Sequence, residues 1–235
     1  MLLNTDKNSS LVPVITIDGP SGSGKGTISS LLAQELAWHL LDSGAIYRAL
    51  AWFALLTKTP LEEESLLPLI QQLALSFSLH PGDKRLQIFC EQRDISEIIR
   101  SEEYGRLASQ LGAYPKVRQN LLAYQRAFRK APGLVADGRD MGSVVFPDAS
   151  LKIFLEASLE ERAKRRYLQL KAKGKHVSLN AVRAELERRD SKDRRRPIAP
   201  LIAPVGAAII DTTHLSIQDV LQRIKAKLQE AKIKF

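Results

Sequence analysis

Between positions 19 and 27 the chain reads GPSGSGKGT, so that four residues separate Gly19 from the pair Gly24 and Lys25. This is the core spacing of a Walker A loop, in which backbone amides curl around phosphate oxygens and a lysine reaches the terminal phosphates. Gly19, Pro20, Ser21, Gly22, Ser23, Gly24, Lys25, Gly26 and Thr27 are therefore predicted to hold the phosphates of a nucleoside triphosphate, with Lys25 acting on its terminal phosphate. A glycine-rich turn with no ligand has no need of a lysine at that spacing. The loop departs from the strict pattern at one position: Gly26 follows the lysine where Ser or Thr is usual, and Thr27 comes one step later. Direct ligation of magnesium by a loop hydroxyl does not follow. Mg2+ is still expected, because bridging the donor phosphates neutralises charge that develops in transfer, and water-mediated contacts to Thr27 or Asp137 would hold it.

The elements around this loop indicate what positions it. Val14 to Asp18 (VITID) reads as a short buried strand, and GKGTISSLLAQELAW after it has apolar residues at helical spacing. A brief apolar run, HLL, leads to Asp42 and Ser43, which can cap the amphipathic segment AIYRALAWFALL and place Ser43 and Arg48 near its start. Beyond residue 60 a helical stretch precedes two β-like runs, LALSFSLH and LQIFCEQ, flanking the turn-rich PGDKR. Helical patterns return at SEEYGRLASQLGA and PKVRQNLLAYQRAFRK. Two apolar runs, GLVADG and LKIFLEA, suit central parallel strands. Two charged helices interrupted near KGKH, a strand AAIIDT and a helix from about Ser216 complete the chain. The pattern predicts an α/β fold: a parallel β-sheet core with helices on both faces, formed by 1–59 and 112–235, a small α+β insertion over 60–111, and a helical lid at about 160–196.

Composition limits the function classes. Of the 235 residues 44% are hydrophobic, and no apolar run approaches the roughly 20 residues that span a bilayer, so no membrane role is expected. The opening MLLNTDKNSSLV lacks the pattern of an export signal and reads as a frayed terminus. Cys90 has no partner for an internal disulfide and sits in an apolar run, which fits a buried thiol and a cytoplasmic location. Four histidines, His39, His80, His176 and His214, show no metal-ligand spacing. The acidic run Glu62 to Glu64 suits the first turn of a helix, and Trp38 and Trp52 fall at core-packing positions. The net charge of +9 is concentrated: residues 160–196 carry 14 basic and 6 acidic side chains. This points to an anionic partner without separating nucleotides from nucleic acid.

Four segments, GPSGSGKGT, LLDSGAIYR, ADGRDMGSVVFPDA and RRDSKDRRRPIAPL, resemble bacterial-type cytidylate kinase and extend over almost the whole chain. The resemblance implies a P-loop nucleoside-monophosphate kinase that moves the γ-phosphoryl group of ATP to CMP or dCMP, and it identifies the insertion with the acceptor-binding subdomain. Such an acceptor is already anionic, so arginines rather than a general base are what the site needs. By this resemblance Arg48 and Arg139 would hold the acceptor phosphate. Arg162 and Arg166 would be lid arginines in transfer, the alternative for that i,i+4 pair being an exposed helix face. Ser43 and Asp140 would accept from the cytosine amino group, while Arg118 and Arg196 would donate to N3 or O2. Ser109, Arg189 and Asp193 would face the ribose, although Asp193 could equally pair with Arg189 or Arg196 along its own helix.

Two other classes compete with this reading. A kinase for a sugar or a shikimate-like acid would share the loop and Arg139, but would have no use for Ser43 and Asp140 opposite Arg118 and Arg196. A nucleic-acid-binding NTPase would be expected to interleave aromatics with the basic segment, which holds only Tyr167. The sequence reading therefore expects ATP, CMP or dCMP and Mg2+ as partners, no nucleic acid, and a monomer.

Overall fold

VITID is apolar apart from Thr16 and its final carboxylate, and all five residues are buried as strand β1 (Val14–Asp18). In the computed structural model, which describes residues 12–78 and 86–233, β1 is the middle of five parallel strands. The frayed terminus read above, His80 and the PGDKR turn lie outside the described residues or largely so. The sheet order is β2 (His39–Asp42), β6 (Leu134–Gly138), β1, β7 (Leu151–Glu156), β8 (Ala208–Asp211). Because β1 is flanked on both sides, its residues need apolar neighbours on both faces, which accounts for a near-continuous rather than alternating apolar run. Helix α1 (Lys25–Leu36) and α9 (Ile217–Glu230) pack on each other and on β6 and β7, while α2 (Ser43–Leu56) packs on β6 and carries the helices of the insertion.

The register brings the polar ends of the strands to one edge. Asp42 is aligned with Asp137, and Asp18 with Gly138 on one side and Phe154 on the other. Strand order reverses around β1, so the loops after β1, β6 and β7 open a crevice at the carboxyl edge, where open α/β sheets bind ligands.

Residues 60–111 contain α3 (Glu63–Gln72), the antiparallel strands β3 (Leu75–Ser78), β4 (Gln87–Cys90) and β5 (Arg93–Asp94), α4 (Ser96–Ile99) and α5 (Glu102–Leu111). This small sheet is tied to its surroundings by side chains. The Leu75 amide donates to Tyr124 Oη at 2.9 Å and the Ile88 amide to Ser96 Oγ at 2.8 Å. Tyr124 belongs to α6 (Pro115–Arg126), whose start is favoured by a proline in its first turn. Cys90 is buried, and that burial, with Glu91 nearby, pushes its thiol pKa up. His39, His176 and His214 are all exposed, and His39 donates from Nε2 to the Ala131 carbonyl at 2.9 Å. Trp52 is in the core, with the Arg93 guanidinium 5.5 Å from its ring centre.

The charged stretch forms α7 (Leu159–Ala172) and α8 (Leu179–Arg194), with the break at 173–178. Ser158 and Ser178 cap them, each accepting from the backbone amide three residues on, and a small apolar cluster of Ala163, Leu170, Val182 and Leu186 holds the pair together. The two-residue β5, the four-residue α4 and a π-helical turn at Met141–Val145 were not expected from the sequence; each is too short to impose a hydrophobic period.

At the opposite, amino end of β6 the backbone and the core meet closely. A Cβ on Gly133 would lie 2.2 Å from the Trp38 ring. We expect Gly133→Ala to force the indole aside and destabilise the protein by about 1–3 kcal/mol, lowering the thermal midpoint by roughly 2–4 °C per kcal/mol. Because this contact is remote from the carboxyl edge, kcat should not change. A midpoint within a degree of wild type would show that Trp38 moves without cost.

Candidate active site

Gly19 leaves β1 at φ +146°, and a Cβ there would lie 2.1 Å from the Leu155 carbonyl of β7, so the chain can turn here only without a side chain. Five residues on, Gly24 adopts a left-handed conformation and α1 begins at Lys25. Unlike α2, α5, α7, α8 and α9, α1 has no side chain accepting from its first amides. Those donors and the positive end of the helix dipole therefore face the loop, an arrangement suited to phosphate. Lys25, only 6% exposed, folds back and donates from Nζ to the Pro20 carbonyl at 2.8 Å, where Ser23 Oγ also donates at 3.0 Å. The loop is braced from outside: Thr212 Oγ1 donates to the Ser23 carbonyl, Arg165 holds the Thr212 carbonyl at 2.6 Å, and Arg162 donates to the Ser21 carbonyl at 3.0 Å.

Cations converge next to this loop. Arg139, at the end of β6, donates to Ser21 Oγ at 2.7 Å and pairs with Asp193 of α8 at 3.0 Å. Burial, followed by repulsion from Arg139, lowers the pKa of Lys25 to about 7, with Asp137 and Asp18 opposing the shift. Burial also lowers Arg189 to about 10, helped by Arg139 and Arg48. Lys25, Arg48, Arg139 and Arg189 thus share one electrostatic neighbourhood although their positions in the chain span 25 to 189. The acids among them respond in kind. Burial raises Asp137 to about 6 against the pull of Lys25, with Asp42 adding to the rise. Asp42 caps α2 through the Ala45 amide and lies 3.9 Å from Arg48. Asp193 is buried too, but Arg139, Arg196 and Arg189 hold its carboxyl below the usual range.

Asp18 was not singled out in the sequence, yet it organises the neighbouring loop. Its two carboxylate oxygens accept from the Met141 and Gly142 amides, both at 2.8 Å, and burial raises its pKa to about 7. The clamp fixes the start of the π-helical turn immediately after Asp140. Asp140 in turn pairs with Arg118 of α6, whose guanidinium also donates to the Gly112 carbonyl at 3.2 Å. Ser43, 5% exposed at the start of α2, donates from Oγ to Gln125 Oε1 at 2.9 Å. Tyr47, one turn further along α2, is buried within the field of Arg118, Asp140 and Arg196; burial pushes its phenol up to about 12.

The remaining predicted residues fall as follows. Asp193 pairs with Arg196 along the helix as well as with Arg139, so both alternatives for it occur together. Ser109 Oγ and Arg189 Nε are buried, and neither has a hydrogen-bond partner among the described residues. Arg162 is buried, not on an exposed helix face, and pairs with Asp190 at 2.7 Å. Arg166 reaches away from the loop to Glu102 of α5. Thr27 and Gly26 are exposed, and a Cβ on Gly26 would sit 3.5 Å from the Asp137 carboxylate. The serine or threonine of the strict pattern would interpose its hydroxyl there; glycine leaves Asp137 open to the loop.

Besides Asp18, the sequence reading passed over Gln125, Tyr47 and Asp190. The one available signal for Asp18 was a carboxylate closing an otherwise apolar strand directly before the loop. The others gain meaning only from contacts with distant segments.

A parallel sheet with a phosphate loop at its central strand, and arginines reaching that loop from the end of β6 and from α7, defines a P-loop kinase. Comparison with known sequences makes the assignment finer. Residues 15–230 match the family model for cytidylate kinase. The chain is 53% identical over 221 residues to a cytidylate kinase of Edwardsiella ictaluri (strain 93-146), and 55% identical over 221 residues to one of Pseudomonas entomophila (strain L48). Each alignment covers 94% of this chain and 97% of the relative. A solved but uncharacterized protein from Eubacterium ventriosum has a similar fold, with a TM-score of 0.51 and 11% identity over 93% of this chain and 99% of its own. This chain belongs to the cytidylate kinase family.

The lowered pKa of Lys25 gives a pH prediction. Phosphate oxygens beside the ammonium favour its charged form, so binding ATP draws its pKa back up. Above pH 7 the complex must then take up a proton, and affinity falls as the pH rises through about 7. Calorimetric titration with ATP at pH 8, in buffers of different ionisation enthalpy, should register uptake of most of a proton per site. Buffer-independent heats would mean that Lys25 keeps its charge without the nucleotide.

Proposed function

We propose that this chain transfers the γ-phosphoryl group of ATP to CMP or dCMP, giving ADP and CDP or dCDP. The observation that carries the reading is the gathering of cations at the phosphate loop: Arg139 donates to Ser21 Oγ at 2.7 Å, and burial, then repulsion from Arg139, depresses the pKa values of Lys25 and Arg189. Such a cluster is unfavourable by itself and becomes favourable around two anionic groups that must be pressed together.

In this reading the amides at the start of α1 and Lys25 hold the donor phosphates, and Arg48 and Arg139 grip the acceptor phosphate with their planar forks. Arg162, already against Ser21, supports the charge in transfer, and Arg166 joins it by leaving Glu102 when the lid closes. The acceptor is an anion, so no residue has to remove a proton. Asp137 fits a role beside Mg2+: it is an oxygen ligand at the mouth of the loop, exposed to it by Gly26 and next to Asp42. Among the described residues no cluster of three or more His, Cys, Asp or Glu could hold a metal alone, which fits an ion carried by phosphates and water with Asp137 and Thr27 nearby. When bound, Mg2+ supplies charge neutralisation across the donor phosphates.

Base choice follows from acceptors and donors. Ser43 and Asp140 accept from the amino group of cytosine, and Arg118 and Arg196 donate to its other edge. Uracil would turn a carbonyl towards the same two oxygens. The buried, partnerless Ser109 Oγ and Arg189 Nε support a ribose contact at α5 and α8 together with Asp193. A further domain reading goes with this: residues 60–111 form the acceptor-binding subdomain, with core at 1–59 and 112–235 and the lid at about 160–196. No helix among the described residues is long and apolar enough to cross a membrane.

An acceptor panel followed by ADP release tests the function: CMP and dCMP should be used, with UMP, AMP and GMP far behind. Equal turnover with all of them would defeat the base-selection argument. Asp140→Ala should lower kcat/KM for CMP by at least roughly 30-fold, the equivalent of 2 kcal/mol or more for breaking a buried charged pair, with ATP affinity little changed. A parallel loss of ATP affinity would make Asp140 structural.

A further inference from the structure

A serine hydroxyl can both donate and accept, so Ser43 alone should not distinguish an amino group from a carbonyl. With its proton free, it would rotate to donate to the O4 of uracil as readily as it accepts from the amino group of cytosine. Its surroundings remove that freedom. Ser43 Oγ donates to Gln125 Oε1 at 2.9 Å, and Gln125, 3% exposed near the end of α6, donates in turn from Nε2 to the Leu121 carbonyl at 3.3 Å. The second bond decides which way the amide points. Turned the other way, Oε1 would face the Leu121 carbonyl oxygen, two acceptors in contact, and the amide nitrogen would face Ser43. The chain of donors therefore runs in one direction, from Ser43 to Gln125 and from Gln125 to the helix backbone.

We propose that Gln125 is a specificity-determining positioning residue: by engaging the Ser43 proton it leaves this hydroxyl only lone pairs to offer the base, so that Ser43 acts as an acceptor for an amino group. The proposal rests on the reading of Ser43 as a base contact and deepens it. For uracil to recover a hydrogen bond from Ser43, the proton would have to leave Gln125, stranding a buried acceptor far from water. Selection against the 4-carbonyl is then imposed twice, by the Asp140 carboxylate and by a serine whose donor is already spent. Tyr47, one turn after Ser43 and buried, and Ala45 and Ile46, both fully buried, pack the start of α2, so Ser43 cannot escape by a shift of backbone.

The experiment compares kcat/KM for CMP and UMP in wild type, Gln125→Met and Gln125→Glu. Methionine matches glutamine in length but accepts no strong hydrogen bond, freeing the Ser43 proton. Glutamate accepts from Ser43 whether ionised or protonated. We expect the CMP-to-UMP ratio to fall roughly 5- to 100-fold in Gln125→Met, mainly through a gain with UMP, and to stay within about threefold of wild type in Gln125→Glu. In a Ser43→Ala background Gln125→Met should leave the ratio where it is, because no proton remains to direct. Should the methionine variant fail to fold, Gln125→Asn, whose amide stops one methylene short of Ser43, gives the same readout. An equal loss with CMP and UMP in Gln125→Met, or a ratio in Gln125→Glu as low as in Gln125→Met, would make Gln125 a structural link between α2 and α6 and overturn the proposal. If wild type itself does not distinguish CMP from UMP, the reading of Ser43 as a base contact fails first. If wild type distinguishes them and the variants do so equally well, only the role of Gln125 fails.

Discussion

Lys25, Arg48, Arg139 and Arg189 are gathered at the carboxyl edge of the sheet, and Lys25 and Arg189 are held there against desolvation first and repulsion from neighbouring arginines second. The rest of the site can be understood as what makes that gathering tolerable. Asp193 offsets Arg139 and Arg196, Asp42 offsets Arg48, and Asp137 and Asp18 lie in the field of Lys25. Asp193, Asp137 and Asp190 hold Arg139 above its usual pKa, whereas burial first and repulsion second depress Lys25 and Arg189.

The backbone is arranged so that this charge cannot relax elsewhere. Gly19 lets β1 turn under the Leu155 carbonyl, and Arg162, Arg165 and Thr212 brace the loop from outside. Asp18 pins the Met141 and Gly142 amides, which holds Arg139 and Asp140 at the head of a π-helical turn, a local geometry often found at functional sites. One carboxylate thus couples β1 to the loop that carries Arg139 and Asp140. Helix α7 is tied to α5 and α4 by lighter means. Arg166 with Glu102 and Lys173 with Glu97 are partly exposed pairs, of the kind that contributes little to stability.

Much was legible in the residues themselves. The strand, loop and helix around Gly19 to Thr27 follow from local rules: an apolar run, glycines where the backbone must bend, and a helical period after Lys25. Four of the five parallel strands, as apolar runs, and the paired charged helices were also visible; β2 showed only as the brief apolar run HLL, too short to read as a strand. Less visible were β5, α4 and the π-helical turn, whose hydrogen bonds are set by Ser96, Asp94 and Asp18 rather than by any repeat. The basic stretch at 160–196 could not be interpreted from its charge alone. In the folded protein Arg162, Arg165, Arg166, Lys173, Arg183, Arg188 and Arg196 are engaged by acids, five of them within the segment itself and two, Glu102 and Glu97, from the helices α5 and α4.

The sequence by itself determined the phosphate loop, the order of strands and helices, and the kinds of side chain a two-nucleotide site requires, since these depend on neighbours within a few residues. Only the tertiary structure decided which charges meet and which way each hydrogen bond points. Ser43 and Gln125 are 82 residues apart, Asp18 and Gly142 are 124 apart, and Arg139 and Asp193 are 54 apart. Short-range electrostatics and hydrogen bonding act across a few ångströms of space, and chain distance carries no information about them until the sheet and its helices have closed.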